Sequence, residues 1–198
     1  MQNRQPHIIA IAGGSCSGKT TLAQQIQTHL GQDNCCLIQQ DNYYKGLAHI
    51  TNFDVPEAID FALLAEQLSL LKSAQPIAMP TYDFVTHRRK PDTVMLQPTS
   101  LILVDGILIL HAEELRASFD YKVFVACSEV LRRQRRLQRD VCERGREHKA
   151  TLKQFDEQTV PMHERYVEPS RQYADLVHTG EQDTSTLINY CLNRLEPE

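Results

Sequence analysis

The stretch GGSCSGKT, residues 13–20, has the residue types and spacing that most directly indicate chemistry. It follows the apolar run HIIAIA and precedes a segment with helical spacing. Glycines let backbone N–H groups curl around phosphate oxygens, and the start of a helix adds its positive end. The lysine would reach the β- and γ-phosphates, and the last threonine hydroxyl would bind Mg²⁺. The candidate nucleotide-binding residues are Gly13, Gly14, Ser15, Cys16, Ser17, Gly18, Lys19, Thr20 and Thr21.

Two aspartates follow apolar, strand-like runs. Asp105 ends the apolar run of LILVDG, and Asp41 lies in QQDNYYK after another run. Ligands bind at the carboxyl ends of parallel strands, so both carboxylates should lie near the phosphate loop. Asp41 could accept the proton of an acceptor hydroxyl or hold a Mg²⁺-bound water. The alternative for each is a turn former, with Asp41 capping the turn at Asn42. The candidate metal ligands are Thr20, Asp41 and Asp105.

The acceptor can be inferred from a second loop and a predicted hairpin. Asp54 follows Asp41 closely, and two carboxylates would repel a nucleoside monophosphate but suit a neutral polyol. Segment 75–98 falls outside the alternation of strands and helices and is predicted to form two extended arms around a polar RRKPD turn. In it, an aromatic wall and a polar reader could face a planar base, although core or interface roles are the alternative. These hairpin residues are Tyr82, Phe84 and His87.

Half of the fourteen arginines lie between residues 132 and 146. A lid that closes on transferring phosphates needs several guanidinium groups, and Gly145 permits a bend there. The alternatives are a solvated helix face or an RNA-binding stripe. Arg132, Arg133 and Arg135 are expected to be simply solvated. The lid candidates are Arg136, Arg139, Arg144 and Arg146.

The elements that must position these residues alternate along the chain. This alternation predicts an α/β fold of the P-loop NTPase type, a parallel sheet flanked by helices. A β-hairpin at about 76–97 and an arginine-rich helical lid at about 131–150 are added to one P-loop domain, 1–198. The predicted strands are 7–12, 35–39, 101–104, 123–126 and 174–177, and the predicted helices are 20–30, 61–71, 129–143, 152–163 and 184–195.

Composition excludes several classes of function. The formal net charge of −4 gives no general reason to expect nucleic acid or an acidic membrane as a partner. The six cysteines have no metal-ligand spacing and are expected to be reduced and mostly buried. The sequence has no NKxD motif, which disfavours a GTPase switch. The N-terminal apolar run is too short for a signal or membrane segment, so a cytoplasmic location is expected.

With these motifs in order, the chain resembles the uridine-cytidine kinases over nearly all of its length. The resemblance implies transfer of the γ-phosphate of ATP or GTP to the 5′-hydroxyl of uridine or cytidine with Mg²⁺, in pyrimidine salvage. It also implies a homo-oligomer, usually a tetramer, that the hairpin helps to build. The matching stretches are IIAIAGGSCSGKTT, QQDNYYK, NFDVPEAID, PTYDFVTHRR, LILVDGILIL, RRLQRDVCERGR and EPSRQYADLV.

The resemblance also implies roles for individual residues. Asp41 corresponds to the general base on the 5′-hydroxyl, and Tyr44 to a residue near the acceptor. The ribose-diol clamp would be Asp54, Arg146 and Gln154. The base readers would be Tyr82 and His87, with Phe53 and Phe84 packing near the base. The arginines that steady phosphates in the lid and on the acceptor side would be Arg136, Arg139 and Arg144.

The sequence departs from the family pattern in three places. The family usually has Glu where this chain has Asp105, so a shorter side chain must reach the metal. The segment between Asp41 and Asp54 is several residues shorter than usual, which bears on nucleoside choice. HTGEQD, residues 178–183, replaces a Pro-Arg-Gly-Gly stretch beside the nucleotide base, which bears on donor choice.

Three other functions stay open on the sequence. One is a kinase of the same fold for another ribosyl or alcohol substrate, such as nicotinamide riboside or pantothenate. Another is a catalytically weak nucleotide-binding regulator, and the third is RNA binding through the arginine run. The hairpin favours a pyrimidine nucleoside over the first of these.

Overall fold

The computed structural model describes residues 5–46, 52–84, 86–143, 145–179 and 184–195. The strands are β1 (His7–Gly13), β2 (Cys35–Gln39), β3 (Ile77–Asp83), β4 (Arg88–Leu96), β5 (Leu101–Gly106), β6 (Tyr121–Ala126) and β7 (Leu176–Thr179). Five of them form a parallel central sheet in the order β2-β5-β1-β6-β7, and β3 and β4 form a separate antiparallel hairpin. The predicted fold class is confirmed.

Helices cover both faces of this sheet. The 3-10 turns are Gln40–Tyr43, Pro56–Ala58 and Glu168–Tyr173, and wide π turns occupy Phe155–Thr159 and His163–Val167. The α-helices are α1 (Lys19–Leu30), α2 (Phe61–Lys72), α3 (Glu113–Arg116), α4 (Glu129–Cys142), α5 (His148–Gln154), α6 (Val160–Met162) and α7 (Ser185–Leu195).

Strand β1 shows how the core is divided. Successive side chains of a strand point to opposite faces of the sheet. Ile8 and Ala10 therefore pack with α2 and the hairpin, whereas Ile9 and Ile11 pack with α1 and α7. All four side chains are fully buried, as the apolar run in the sequence predicted. This strand leads directly into the phosphate loop, so the loop starts from a rigid base.

The hairpin is present, but its turn lies elsewhere than predicted. RRKPD begins β4 instead of forming the turn, and the chain reverses between Asp83 and Arg88. The Asp83 carboxylate accepts hydrogen bonds from the backbone N–H and the hydroxyl of Thr86, at 3.4 and 2.8 Å, which stabilises the tighter turn. Pro91 falls where the strand register shifts, and a proline is tolerated there because it has no N–H to donate.

The helical region after residue 147 begins earlier than predicted and extends further. The sequence predicted a helix over 152–163, whereas α5 starts at His148 and π and 3-10 turns continue the helical path to Tyr173. Pro161 lies inside this path. A proline cannot donate a backbone hydrogen bond, and wide turns are found on both sides of it.

The sequence predicted reduced, mostly buried cysteines and no membrane segment, and the structure bears on both. All six cysteines are free thiols, and Cys35, Cys36 and Cys191 are buried, so half rather than most of them are fully inside. Within the ranges described above, no helix combines the length and apolarity needed to cross a bilayer.

Candidate active site

The phosphate loop lies between β1 and α1, as the motif predicted. Gly13 has a φ of +150°, and a Cβ atom there would lie 2.6 Å from the carbonyl oxygen of Val125. Only glycine fits such a backbone beside a neighbouring strand. Helix α1 begins at Lys19, directly after the loop, so its free N–H groups point toward the loop. This arrangement can bind the phosphates of a nucleotide.

Asp105 lies at the carboxyl end of β5 and is bound to the end of the loop. The Thr20 hydroxyl donates a 2.6 Å hydrogen bond to one carboxylate oxygen of Asp105. The Lys19 ammonium lies 3.9 Å from the other oxygen, which has no hydrogen-bond partner among the described residues. Burial raises the pKa of Asp105, and the nearby charge of Lys19 opposes that rise.

Asp41 lies in the 3-10 turn after β2, close to the same strand ends. The preceding residue, Gln40, is fully buried and its side-chain oxygen accepts a 2.8 Å hydrogen bond from the backbone N–H of Leu108. This bond ties the turn to the chain that follows β5. The Asp41 charge helps to raise the pKa of Tyr44 and Tyr82, after the larger effect of their burial. Asp41 is therefore close to the aromatic side chains of the hairpin.

One cavity of about 370 Å³ brings together the predicted acceptor-side residues. Its wall contains every predicted substrate-binding residue together with Asp41, Lys19 and Arg139. These residues come from six separate parts of the sequence, so their convergence was not forced by chain proximity. The lining residues are Ser15, Lys19, Thr20, Asp41, Tyr44, Asn52, Phe53, Asp54, Tyr82, Phe84, His87, Ile107, Arg136, Arg139, Arg146 and Gln154.

Aromatic rings form one side of this cavity. Phe53 and His87 are stacked with ring centroids 4.9 Å apart, and Tyr44 meets the edge of Phe53 at 5.4 Å. Tyr82 contacts both Tyr44 and Phe84 at 5.3 Å. The Tyr82 hydroxyl is buried and has no hydrogen-bond partner among the described residues. Such a surface suits a planar, polar-edged ligand.

Polar groups form another part of the cavity wall. The carboxylate of Asp54 accepts a 2.8 Å hydrogen bond from the Thr159 hydroxyl, which holds it in place. The Arg146 guanidinium donates to the side-chain oxygen of Gln154 at 3.2 Å. Asn52, which the sequence analysis missed, lines the cavity and accepts the backbone N–H of Asp54 at 2.9 Å. A vicinal diol could exchange hydrogen bonds with this group.

Asp140 organises the arginines and was not predicted as a site residue. It is fully buried and accepts hydrogen bonds from Arg136 at 2.7 Å and Arg139 at 3.0 Å, with Arg146 at 3.5 Å. The burial of Asp140 and the charge of Arg136 make this a strong interaction. The spacing of Arg136 and Asp140 by four residues on one helix was the signal available in the sequence.

A second cavity, of about 660 Å³, is lined by most of the phosphate loop. Both cavities include Lys19, Thr20, Asp41, Phe84 and Arg139 in their walls, so they meet at these residues. The other residues of the second cavity are Cys16, Ser17, Gly18, Thr21, Leu22, Gln25, Gln39, Val125, Arg135, Glu143, His178 and Thr184. Arg144, a predicted catalytic residue, lies outside the described residues.

The three arginines predicted to be solvated behave differently. Arg133 is partly exposed and forms a bidentate pair with Asp156 at 2.9 and 2.8 Å. Arg135 is exposed but donates to the Ser17 carbonyl at 3.2 Å and borders the second cavity. The prediction is wrong for Arg132, which is 2% exposed. Its guanidinium lies 5.9 Å from the ring of Phe155, so the long side chain turns inward across the helical layer.

Comparisons with known proteins agree with this geometry. The phosphoribulokinase/uridine kinase family model matches residues 8–186. A uridine kinase from Chloroflexus aurantiacus is 40% identical in an alignment 198 positions long, which covers 96% of this chain and 95% of the relative. A uridine kinase from Lactobacillus johnsonii is 41% identical in an alignment 195 positions long, which covers 93% of this chain and 92% of the relative.

Two solved structures share the fold at low identity. Phosphoribulokinase from Rhodobacter spheroides aligns with a TM-score of 0.62 at 14% identity, over 92% of this chain and 73% of that one. D-glycerate 3-kinase from Cryptococcus neoformans aligns with a TM-score of 0.63 at 16% identity, over 84% and 80%. The fold, the cavities that meet at the phosphate loop and the relatives lead to one conclusion: the chain belongs to the phosphoribulokinase/uridine kinase family and is a kinase.

Proposed function

We propose that this kinase transfers the γ-phosphate of ATP or GTP to the 5′-hydroxyl of uridine or cytidine, which yields UMP or CMP. The observation that supports this most is that the two cavities meet at Lys19, Asp41 and Arg139. A nucleotide with its phosphates on the loop and a nucleoside in the aromatic cavity would then have their reacting atoms adjacent. The identity to uridine kinases supports the choice of nucleoside.

The proposed roles follow the positions of the side chains. Lys19 and the N-terminus of α1 bind the β- and γ-phosphates, and Arg139 balances the charge that spreads over the transferring group. Asp41 takes the proton of the 5′-hydroxyl as the new O–P bond forms. The bond between the γ-phosphorus and the bridging oxygen breaks, and ADP or GDP leaves. Most of the rate enhancement would come from positioning and charge.

Nucleoside binding divides between the two sides of the cavity. The base would lie against Phe53 and Phe84, with Tyr82 and His87 forming hydrogen bonds to its polar edge. Asp54, Arg146 and Gln154 would hold the ribose diol, and Tyr44 and Arg136 would lie near the 5′ end. The unpartnered Tyr82 hydroxyl supports this proposal, because a buried hydroxyl gains most from a polar ligand.

Mg²⁺ fits the oxygen donors where the start of α1 meets the carboxyl end of β5. The Thr20 hydroxyl and the unpartnered oxygen of Asp105 are hard oxygen donors, the type that Mg²⁺ prefers. Within the described ranges no cluster of three or more His, Cys, Asp or Glu could hold a metal ion by itself. This agrees with an ion held by one or two protein oxygens and by phosphate. When bound, Mg²⁺ would neutralise charge on the phosphates.

The wider setting is part of the same proposal. The chain would form one kinase domain, 1–198, whose lid spans about 131–150, and it would work as a homo-oligomer, a tetramer by resemblance. Its place would be pyrimidine salvage in the cytoplasm, without a nucleic-acid partner. Three of the lid arginines converge on Asp140, and this supports the lid function rather than RNA binding by this segment.

ATP consumption with Mg²⁺ tests the proposal against a panel of uridine, cytidine, nicotinamide riboside, UMP and no acceptor. We expect turnover with uridine or cytidine and background rates with the rest. Faster turnover with nicotinamide riboside would replace the proposed substrate. ATP binding without turnover on any acceptor would indicate a regulator.

A further inference from the structure

A buried arginine and a partly buried histidine lie against Gly14 in the phosphate loop. A Cβ atom on Gly14 would lie 2.9 Å from the imidazole of His163 and 3.0 Å from Cδ of Arg132. His163 belongs to the π turn after α6, and Arg132 to α4. Two elements far apart in the sequence therefore meet at one residue of the loop. No side chain could be added there without moving one of them.

Part of the Arg132 guanidinium lacks hydrogen bonds to the described residues in this contact, although the carboxylates of Glu129 and Glu168 act on its charge. The Nε and Nη1 groups of Arg132 are buried without a hydrogen-bond partner among the described residues, as is Nδ1 of His163. His163 Nε2 lies 3.4 Å from Glu168, whose carboxylate is about half exposed. A buried guanidinium with free donors is costly, so a role that uses its charge would account for it.

The position of Arg132 indicates an indirect role. Neither Arg132 nor His163 belongs to the described walls of the two cavities that meet at the loop. Any effect of Arg132 on a bound phosphate would therefore pass through Gly14. Its neighbour Arg136 acts differently, because it donates a 2.8 Å hydrogen bond to the loop side chain Ser15 and lines the acceptor cavity.

We propose that Arg132 is a positioning residue for the donor nucleotide: held against Gly14 beside His163, it fixes the shape of the phosphate loop and adds a positive charge behind it. This role for Arg132 rests on one part of the proposed function, which is that the phosphate loop binds a nucleoside triphosphate. An anion in the loop would be stabilised by that charge, and phosphate binding would in turn offset the burial of the guanidinium.

The experiment compares the ATP dissociation constant and the kinetic constants of the wild type, Arg132→Met, Arg132→Lys and the control Arg133→Met. Methionine keeps the bulk against Gly14 and removes the charge, whereas lysine keeps the charge. We expect Arg132→Met to weaken ATP binding about tenfold and to raise KM for ATP similarly, with KM for the nucleoside within about twofold. Arg132→Lys should recover most of the loss, and Arg133→Met should match the wild type.

Two results would overturn the proposal. Arg132→Met could bind ATP as tightly as Arg133→Met. Alternatively, both Arg132 variants could lose ATP affinity, nucleoside affinity and melting temperature together, which would make the residue merely structural. The ATP dissociation constants decide this even if the wild type phosphorylates no nucleoside, so failure of the proposed function stays distinguishable.

Discussion

At the scale of single residues, Asp41 carries the chemical step in the proposed mechanism. Gln40 and its bond to Leu108 hold the turn in place, so the carboxylate can be changed with little disturbance of the backbone. A positioned base contributes about 10²- to 10⁴-fold to a rate. Its removal should therefore reduce turnover far more than binding.

We expect Asp41→Asn to lower kcat by at least about 10²-fold and to leave the ATP dissociation constant within about twofold. Steady-state kinetics and calorimetry would measure the two quantities. Asp33→Asn, at an exposed position, is the matched control. Unchanged turnover would remove Asp41 as the base. Recovery of turnover with excess Mg²⁺ would instead assign its carboxylate to the metal.

His87 allows a similar test of base recognition. Its φ of +53° lies in the left-handed region, where alanine is strained and asparagine is tolerated. His87→Asn removes the ring that stacks on Phe53 and should raise KM for uridine about tenfold, with KM for ATP nearly unchanged. Lys90→Gln, on the exposed part of β4, is the control. Equal changes in both KM values would mean that the hairpin is structural.

His163 makes stability depend on pH. Burial, followed by the charge of Arg132, lowers its pKa from 6.5 to about 4. Below pH 6.5 the unfolded chain binds a proton that the folded chain does not, so stability is lost as the pH falls from 6.5 toward about 4. The full effect is on the order of 3 kcal/mol.

Urea unfolding at about pH 7 and about pH 5 measures this effect. We expect the wild type to lose more free energy of unfolding over that pH range than His163→Gln, because glutamine at position 163 does not titrate. The lowered pKa of His178 acts in the same direction in both proteins, so the difference between them isolates His163. Parallel losses would show that His163 titrates normally in the folded chain.

At the scale of elements, α4 presents its arginines through one buried acid. Asp140 has no exposed surface and is bound to guanidinium groups of Arg136 and Arg139 on the same helix and of Arg146 beyond it. Removal of one partner from a buried charge cluster leaves the others uncompensated. A change at Asp140 should therefore disturb all three arginines together.

Asp140→Asn should lower kcat/KM for both substrates by about 10²-fold or more and reduce the melting temperature, because three guanidinium groups would repel one another. Asp156→Asn is the control, since that exposed acid pairs with Arg133 outside the cavities. Kinetics and thermal melts of both variants check this. Similar behaviour of the two would show that Asp140 does not organise the lid.

At the scale of the whole molecule, the sequence predicted the sheet well, and the residues predicted for the acceptor side line one cavity, while their roles stay a prediction. The reason is physical: apolar runs such as HIIAIA identify buried strands, and the carboxyl ends of parallel strands meet at one edge. Asp41 and Asp105 could therefore be placed near the loop. The spacing of glycines and lysine in GGSCSGKT likewise predicted where the phosphate loop lies.

What the sequence did not predict depends on tertiary contacts. Arg132 and Arg133 are adjacent and chemically identical, yet one is buried against Gly14 and the other pairs with Asp156 at the surface. Helical periodicity cannot show which of the two is buried, because arginine is polar and marks no apolar face of the helix. The hairpin turn was misplaced for a similar reason: Asp83 and Thr86 stabilise it with side-chain bonds that no alternation of apolar residues reveals.

In the proposed mechanism, the two cavities bring a nucleotide phosphate and a nucleoside 5′-hydroxyl together at Asp41. The most direct test is to incubate the protein with ATP, Mg²⁺ and either uridine or 5′-deoxyuridine, and to identify the products by mass spectrometry. We expect UMP and an equal amount of ADP from uridine, and no product above background from 5′-deoxyuridine. Phosphorylation of 5′-deoxyuridine, or none of uridine, would contradict this mechanism.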